Sequence, residues 1–508
     1  MSQDLHSLQV RFGSRYPQRL LGVLMLGSMA MVLASTTINV ALPAIMADFS
    51  IGRPLVQWLS TGFLAAMTAG LLLSAWAQAR WGARRTAQIG LALFILTSLL
   101  AVVAQTAWQL IALRVVQGLC AGIVQPLAMV LIFRVFAVSG RGMALGIYGL
   151  GVMVAPTLGP SIGGYLVDHF GWPAVFWLPL PLCCLALLGG QWLLPSERQR
   201  TTPMLDVAAF VLMCVALFAI LGALAEAQRF AWSAPRVWLP AVIGAVALAG
   251  FFARSRRSST PLLPLGLWRH AGFRSASWVA LTLGVGLYGS TYLIPLYLQT
   301  IQGYSAGLAG ALLLPTGVLM GVASFAGGWL SDRASAALLL ASGLLIFALS
   351  AAGLAWLEPG ASFVLLCFWA CVGRVGLGVL LPALSTGSLD ILSPQELAQG
   401  AGAITFVRQL GGAFGVNLLT FFLEWRHAAE GGHRLAEAQA FQQSFWLMAA
   451  VFVLTALAAR GVRASGAQGR ASAPDDARIN LRLSPRRHRP RRCLPTKLRR
   501  FKYCDHTH

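Results

Sequence analysis

Long apolar stretches alternate with short basic turns along the chain. Between Arg274 and Asp332, 57 consecutive residues include no Asp, Glu, Lys or Arg, and the stretch from Arg85 to Arg114 is similar. A charged side chain in hydrocarbon is costly, so uncharged stretches of this length are typical of membrane-embedded chain. One helical crossing needs about 20 apolar residues. The longer stretch therefore predicts two helices, joined by a turn at 302–307.

The same spacing predicts an all-α membrane protein with fourteen transmembrane helices, because helices satisfy their backbone hydrogen bonds internally in lipid. The predicted helices are 19–43, 56–77, 86–106, 109–133, 143–165, 172–193, 205–225, 235–253, 275–298, 307–330, 336–357, 361–388, 400–423 and 440–460.

These helices predict two six-helix bundles with two further helices inserted between them. The predicted divisions are an N-terminus at 1–18, a first bundle at 19–193, a linker with two extra helices at 194–272, a second bundle at 273–460 and a tail at 461–508.

Basic residues predict the orientation, because cytoplasmic loops retain Lys and Arg. With a cytoplasmic N-terminus, the inner connections carry sixteen basic residues and the outer ones five. Three more lie inside predicted helices, and the remaining fourteen begin at Arg460. The distribution predicts a multi-pass protein of the cell (inner) membrane with both termini cytoplasmic.

Composition agrees with a membrane protein, since 57% of residues are hydrophobic and 11% are charged. The net charge of +22 is concentrated in part in the tail 461–508, which holds thirteen Lys and Arg against three Asp. Its composition predicts disorder. A non-functional extension is the interpretation we favour, contact with anionic membrane lipid is the second, and a nucleic-acid partner is not expected.

Metal, cofactor and nucleotide chemistry find no sequence support. Six of the eight cysteines lie in predicted helices, where they are expected to act as small buried hydrophobes, and no Cys/His cluster has metal-ligand spacing. No phosphate-cradling Gly-x-x-x-x-Gly-Lys-Ser/Thr motif occurs. The sequence predicts no cofactor, no metal site and no enzyme activity.

An internal repeat supports the two bundles. Adding 252 to each position of a small-residue set in helix five gives a second set in helix thirteen. The first set is Gly151, Ala155, Gly159, Pro160 and Gly163, and the second is Ala403, Val407, Gly411, Gly412 and Gly415. Paired halves of this kind usually place a substrate path at their interface, so a transporter is the leading class.

Helix five carries the most informative motif. Gly151, Ala155, Gly159 and Gly163 are four residues apart and form a small-residue stripe, which allows close helix approach. Pro160 is expected to kink the helix because it removes a backbone donor. Ordinary glycine packing is the alternative. We expect the stripe to lie against the opposite bundle.

The string Gly159-Pro-Ser-Ile-Gly163-Gly164 resembles the antiporter signature of drug:proton exporters in the major facilitator superfamily, and the predicted helix count resembles its fourteen-helix EmrB/QacA branch. Further matching stretches are Thr36-Thr-Ile-Asn39-Val-Ala-Leu-Pro43, Gln57-Trp58, Arg114-Val-Val-Gln117-Gly118, Leu298-Gln299, Gly303-Tyr-Ser305 and Arg408-Gln409-Leu-Gly-Gly412. The resemblance implies efflux of small amphipathic molecules by alternating access, driven by protons. A periplasmic adaptor protein is a common partner of that branch.

The chain departs from that family at several positions. Ala34 stands where the family usually carries an aspartate, and Ala75, Ala77 and Ala79 stand where Gly, Leu and Asp are usual. Proton coupling needs a group with an adjustable pKa, normally a buried carboxylate. Asp206 and Asp390 are the best remaining proton-carrier candidates, and an ordinary interfacial charge is the alternative for each.

Three arginines inside predicted helices lack evident acidic partners: Arg114, Arg374 and Arg408. An unpaired buried arginine should face water, backbone carbonyls or an anionic substrate, and snorkelling to the interface is the alternative. We hypothesise that such a pore suits a neutral or anionic cargo better than a cationic one.

Other polar residues are expected to face the pore, with bonding between helices as the alternative. These are Thr36, Asn39, Gln117, Gln125, Tyr288, Tyr292, Gln409 and Asn417. A second set is expected to latch the cytoplasmic ends of the bundles, with solvated loop charge as the alternative: Arg80, Gly82, Arg84, Arg85, Asp332 and Arg333.

Three functions remain open on the sequence. The first is a proton-linked exporter of drugs or metabolites, and the second is a facilitator or importer of the same fold without proton coupling. The third is a membrane sensor, which the repeat disfavours.

Overall fold

The computed structural model describes residues 3–56, 58–196, 204–227, 234–258, 261–304, 308, 311–429 and 434–459. The predicted tail at 461–508 and residues 305–307 of the predicted turn at 302–307 lie outside these residues.

The described residues form helices connected by short turns. In chain order these are α1 (Gln3–Phe12), α2 (Tyr16–Asp48), α3 (Arg53–Val56), α4 (Trp58–Val102), α5 (Ala107–Val135), α6 (Arg141–Phe170), α7 (Ala174–Trp177), α8 (Leu180–Leu193), α9 (Val207–Ala227), α10 (Pro235–Arg257), α11 (Ala271–Thr300), α12 (Leu313–Ser331), α13 (Ala336–Ala355), α14 (Phe363–Leu389), α15 (Leu397–Ala429) and α16 (Arg434–Ala458).

Twelve helices within the described residues are long and apolar enough to cross a membrane. This number is lower than the fourteen that the sequence predicts. Trp58–Val102 is one of the twelve although it covers two predicted helices, and α6 is not among the twelve. The chain is therefore an all-helical, multi-pass membrane protein.

Gly82 divides α4 into two helical parts. Its backbone has φ 78° and ψ 165°, which is not helical, and only glycine adopts such a conformation without strain. At the start of the second part, the hydroxyl of Thr86 donates a hydrogen bond to the carbonyl oxygen of Gly82 at 2.8 Å. The basic turn predicted between helices two and three lies at this bend.

Each half contains pairs of helices that pack on one another. In the first half, α2 packs on α6 and α4 packs on α5, and in the second half α11 packs on α15 and α13 packs on α14. The inserted helices α9 and α10 pack on each other, and α9 also packs on α4. One core consists almost entirely of residues from the second half, including Leu283, Leu344 and Phe452.

The halves meet most closely where α6 crosses α12. A Cβ atom added to Gly328 would lie 2.3 Å from the carbonyl oxygen of Gly142 and 2.6 Å from the Cα atom of Gly146. Only glycine therefore fits at this crossing. The crossing lies at the end of the bundle where α6 begins, and we call this end the closed face.

Candidate functional site

A cavity of about 340 Å³ lies between the two halves. Helices α2, α4, α5 and α6 of the first half and α11, α12, α14 and α15 of the second half contribute its wall. Its volume falls in the range of small-molecule sites, and position at a repeat interface is typical of transporter sites.

Six of the predicted pore residues line this cavity: Thr36, Asn39, Gln125, Tyr288, Arg374 and Arg408. Asn39 accepts a hydrogen bond from the Ser60 hydroxyl at 2.7 Å through Oδ1. The side-chain oxygen of Gln125 is buried and has no hydrogen-bond partner among the described residues.

The two cavity arginines come from neighbouring helices of the second half. Arg374, on α14, is 7% exposed and donates one hydrogen bond, to the Thr291 hydroxyl at 2.7 Å. Arg408, on α15, is half-buried. Neither forms an ion pair with a described residue.

Tyr288 is oriented by the motif that contains Arg408. Its ring packs over Gly412, where an added Cβ would lie 2.2 Å from the ring. Its hydroxyl donates to Oε1 of Gln409 at 3.1 Å. Gln409 is buried behind the cavity wall, so it positions Tyr288 rather than lining the cavity.

The remaining predicted pore residues do not line the cavity. Tyr292 is 38% exposed, and the amide of Asn417 donates to the Ala413 carbonyl at 2.7 Å. Tyr292 follows Tyr288 by four residues, a rotation of about 40° beyond one full turn of the helix. Of the two predicted pore tyrosines, Tyr288 lines the cavity and Tyr292 does not.

Arg114 is buried within the first half. Its Nε donates to the Leu59 carbonyl at 3.1 Å, one terminal nitrogen donates to Gln117 at 3.0 Å, and the guanidinium lies 4.2 Å from the centre of the Phe63 ring. Backbone carbonyl contact was one of the predicted alternatives. Its other terminal nitrogen has no partner among the described residues. A small void beside it is lined by Ala34, where the family usually carries an aspartate.

The small-residue stripe of α6 faces its own half. A Cβ atom added to Gly159 would lie 2.6 Å from Oγ1 of Thr36, and one added to Gly163 would lie 3.4 Å from Thr37, both on α2. Gly164 faces Val40 of the same helix. The expectation that the stripe lies against the opposite bundle is therefore wrong, because an earlier part of α6 makes that contact.

The repeat explains this arrangement. In the second half, Gly411 and Gly415 of α15 lie against Leu281 and Val285 of α11. Both small-residue sets therefore contact the first long helix of their own half. The helix α6 is continuous through Pro160, where a kink was predicted. The Pro160 side chain is not among the parts of the chain that the structure describes.

Polar contacts join the halves at the closed face. The Asp332 carboxylate accepts hydrogen bonds from the backbone N–H groups of Gly142 and Met143 at 2.7 and 2.8 Å. Arg141 donates to the Asp390 carboxylate at 2.9 Å. A carboxylate at a helix N-terminus pairs with free backbone donors and with the positive end of the helix dipole.

The other predicted latch residues contact their own half. Nε of Arg84 donates to the Leu194 carbonyl at 2.7 Å, and the Arg333 guanidinium stacks 3.8 Å from the centre of the Trp329 ring. Arg80 and Arg85 are exposed. Among the described polar contacts at the closed face, the halves are joined by the Asp332 carboxylate and by the Arg141–Asp390 ion pair. The sequence did not indicate that ion pair.

The proton-carrier candidates lie outside the cavity wall. Partial burial acts to raise the pKa of Asp206, but the Ala209 N–H and the Arg254 guanidinium donate to its carboxylate, so its pKa is below the ordinary value. Asp390 is engaged by Arg141 and is 42% exposed. Neither carboxylate is placed to meet a solute in the cavity.

Five methionines that the sequence pattern does not single out also line the cavity: Met31, Met67, Met129, Met153 and Met320. Tyr148, whose hydroxyl donates to Ser28 at 2.7 Å, is not singled out by that pattern either. Methionine is an ordinary core residue in any apolar helix, so only the three-dimensional arrangement distinguishes these residues.

A solute-sized cavity between two matched helical halves in a multi-pass membrane protein defines the membrane transporter class. The chain belongs to the Major Facilitator Superfamily, whose family model matches residues 24–416. Members of this family are transporters rather than enzymes.

The chain is 30% identical to the tetracenomycin C resistance and export protein of Streptomyces glaucescens, over 77% of this chain and 73% of that protein. It is 28% identical to the lincomycin resistance protein LmrB of Listeria monocytogenes, over 75% of this chain and 81% of that protein. The solved proton:xylose symporter XylE shares the fold, with a TM-score of 0.62 and 14% identity over 87% of this chain and 95% of that one.

Proposed function

We propose that this chain exports small amphipathic molecules, drugs or metabolites, across the cell membrane by alternating access. The observation that carries the proposal is the cavity between two matched halves that are held together at one face. Similarity to a resistance and export protein supports export as the direction.

The proposed architecture has fourteen crossings and the five divisions predicted from the sequence. The bend at Gly82 supports counting α4 as two crossings. The 30 residues of α6 support a further one. Added to the twelve apolar helices, these give fourteen.

The closed face is proposed to be cytoplasmic, with both termini on the same side. Arg80, Arg84, Arg85, Arg141 and Arg333 flank the helix ends there, in agreement with the preference of basic residues for the cytoplasm. In this orientation the halves are joined at their cytoplasmic ends, and the cavity between them is closed to the cytoplasm. Export requires that Asp332 and Arg141 release their partners so that a cytoplasmic solute enters.

Proton entry is the driving force that the family resemblance implies. A second candidate is a facilitator or importer without proton coupling. It is favoured by the wall of the cavity, which contains no Asp or Glu among its described residues, and by Ala34 beside Arg114. A periplasmic adaptor is a proposed partner, which affinity purification from its native membrane would test.

Export is tested in cells lacking their own major efflux pumps. Cells that express the chain are loaded with a panel of fluorescent amphipathic compounds and then energised. We expect at least one compound to leave these cells faster than it leaves cells expressing Gly328→Ala, a substitution that prevents the two halves from packing together at the closed face. Equal rates for every compound would contradict the proposal.

Coupling is tested with purified protein in vesicles that contain a pH-sensitive dye. Substrate-dependent proton flux would support the proton-linked form, and solute movement without proton flux would support the second candidate. Repeating the measurement with Asp206→Asn and Asp390→Asn examines the two carboxylates directly.

A further inference from the structure

The charge of the cavity wall is one-sided. Its described residues include two arginines, Arg374 and Arg408, and no Asp, Glu, Lys or His. In a low-dielectric site, uncompensated cations repel a cationic solute and stabilise an anionic one. The cavity thus has the electrostatics of an anion site.

Arg374 and Arg408 have N–H groups that are not used in hydrogen bonds to described residues. A guanidinium carries five N–H donors, and Arg374 uses one of them on Thr291 within the described residues. Arg408 has no hydrogen bond or ion pair with any described residue. Withdrawing a cation from water, even in part, is costly when no anion lies beside it, so a bound anion would stabilise these two arginines.

The rest of the wall suits an apolar body of variable shape. Five methionines line it, distributed over both halves. Methionine is unbranched and polarisable, and methionine-rich surfaces accept ligands of different shapes. A solute that fits this wall therefore has an apolar body as well as a charged head.

We propose that the cavity binds amphipathic organic anions, with the anionic head at Arg374 and Arg408 and the apolar body against the methionines. This inference rests on the proposed function and specifies the charge class of its substrate.

Such a substrate also accounts for the missing carboxylate. A cell interior is electrically negative, so the membrane potential drives an anion outward without a proton carrier. For a single charge, about 59 mV corresponds to a tenfold concentration ratio at equilibrium. An exporter of organic anions therefore works as a potential-driven carrier with alanine at position 34.

Binding is tested with three compounds that share a phenylbutyl group and end in a sulfonate, a primary amide or a trimethylammonium. The sulfonate stays ionised and does not cross lipid as a neutral acid. We expect it to bind purified wild-type protein at least tenfold more tightly than the amide, and the ammonium to bind most weakly.

Arg374→Gln and Arg408→Gln are each expected to weaken sulfonate binding about tenfold or more, since a charge-assisted hydrogen bond is lost. Amide binding should stay within about threefold, which shows that the cavity is intact. Arg374→Lys should retain part of the sulfonate affinity, and Arg256→Gln on α10, which does not line the cavity, should retain all of it. Equal or tighter binding of the ammonium, insensitivity to both glutamine variants, or no binding of any compound would overturn the inference.

The driving force is tested in phosphatidylcholine vesicles containing the protein. A valinomycin-clamped potential of about 59 mV, positive inside, should accumulate the sulfonate about tenfold. A pH gradient at zero potential should produce no accumulation. Accumulation by the pH gradient alone would overturn the potential-driven mechanism. Export of other compounds from cells without any sulfonate movement would overturn the anion inference and leave the proposed function standing.

Discussion

The carboxylate of Asp332 accepts a hydrogen bond from the backbone N–H of Gly142 at 2.7 Å, which links α12 of one half to the first turn of α6 in the other. This contact places a negative charge at the positive end of a helix. It lies beside the crossing of Gly328 and Gly142, so the polar contact and the tight packing act at the same place.

Neutralising Asp332 should open the closed face. Asp332→Asn removes the charge but keeps the shape, and loss of about 1–2 kcal/mol would shift the ratio of open to closed molecules roughly 5- to 30-fold. Spin labels at Val138→Cys and Ser335→Cys, with native reactive cysteines replaced by serine, report the separation of the halves. A distance distribution identical to that of the parent protein would show that Asp332 does not hold this face.

Asp390→Asn should have a smaller effect on the same spin-label distance. The side chains of Arg141 and Asp390 are 21% and 42% exposed, and an ion pair with that exposure contributes at most about 1 kcal/mol. High salt should reduce the difference between wild type and Asp390→Asn. A shift larger than that of Asp332→Asn would contradict this ranking.

Gly328→Ala should slow transport more than tenfold. Its added Cβ would meet the backbone of Gly142 and Gly146 at 2.3 and 2.6 Å, and backbone cannot move aside as a side chain can. Gly321→Ala is the matched control on the same helix, because its Cβ would lie 3.6 Å from the nearest atom, the carbonyl oxygen of Leu150. Efflux rates of the two variants at equal expression test the prediction, and equal rates would refute it.

Asp206→Asn should leave the pH dependence of transport between pH 5.5 and 8 unchanged. The pKa of Asp206 is lowered from 3.8, so the carboxylate stays ionised throughout this range. The stabilisation it gives through Arg254 is present above its unfolded-state pKa and is lost only as pH falls through the lower folded-state pKa. A displaced pH profile in vesicle transport would identify Asp206 as a proton carrier after all.

Ala34→Asp should be tolerated only when Arg114 is present. Both residues line the same small void, and the terminal nitrogen of Arg114 that has no partner among the described residues could pair with the new carboxylate. Removing one member of a buried pair costs about 3–5 kcal/mol, so Ala34→Asp combined with Arg114→Gln should unfold at a lower temperature than either single variant.

The corresponding double-mutant cycle in detergent measures this coupling. Strictly additive changes in unfolding temperature would show that residue 34 and Arg114 do not interact. The gain of proton-linked transport by Ala34→Asp is a separate measurement on the same protein.

The apolar pattern predicts helix positions closely, because the membrane requires uncharged helices of fixed length. The predicted helix 336–357 corresponds to Ala336–Ala355, and 361–388 corresponds to Phe363–Leu389. Gly82 was expected in a turn between two helices, and its backbone bends there. The segment predicted as 172–193 corresponds to one candidate span, Ala174–Leu193, within which α7 and α8 are separated around Pro179.

Which side of each helix faces the cavity was less predictable. In a helix that is apolar all round, hydrophobic periodicity does not distinguish lipid from protein or cavity, so Tyr288 and Tyr292 were not separable. The α6 stripe was recognised as a close-packing surface, but small residues permit close approach to any neighbour. Its partner, α2, follows from the three-dimensional arrangement alone.

Solute counterflow tests alternating access most directly, since it requires a site that opens alternately to each side and is independent of the driving force. Vesicles containing the protein are loaded with an excess of an unlabelled compound that cells export, and the labelled compound is added outside. The account predicts a transient accumulation of label inside above its equilibrium level, present with Gly321→Ala and absent with Gly328→Ala. Entry of label to equilibrium without an overshoot, or no entry at all, would contradict it.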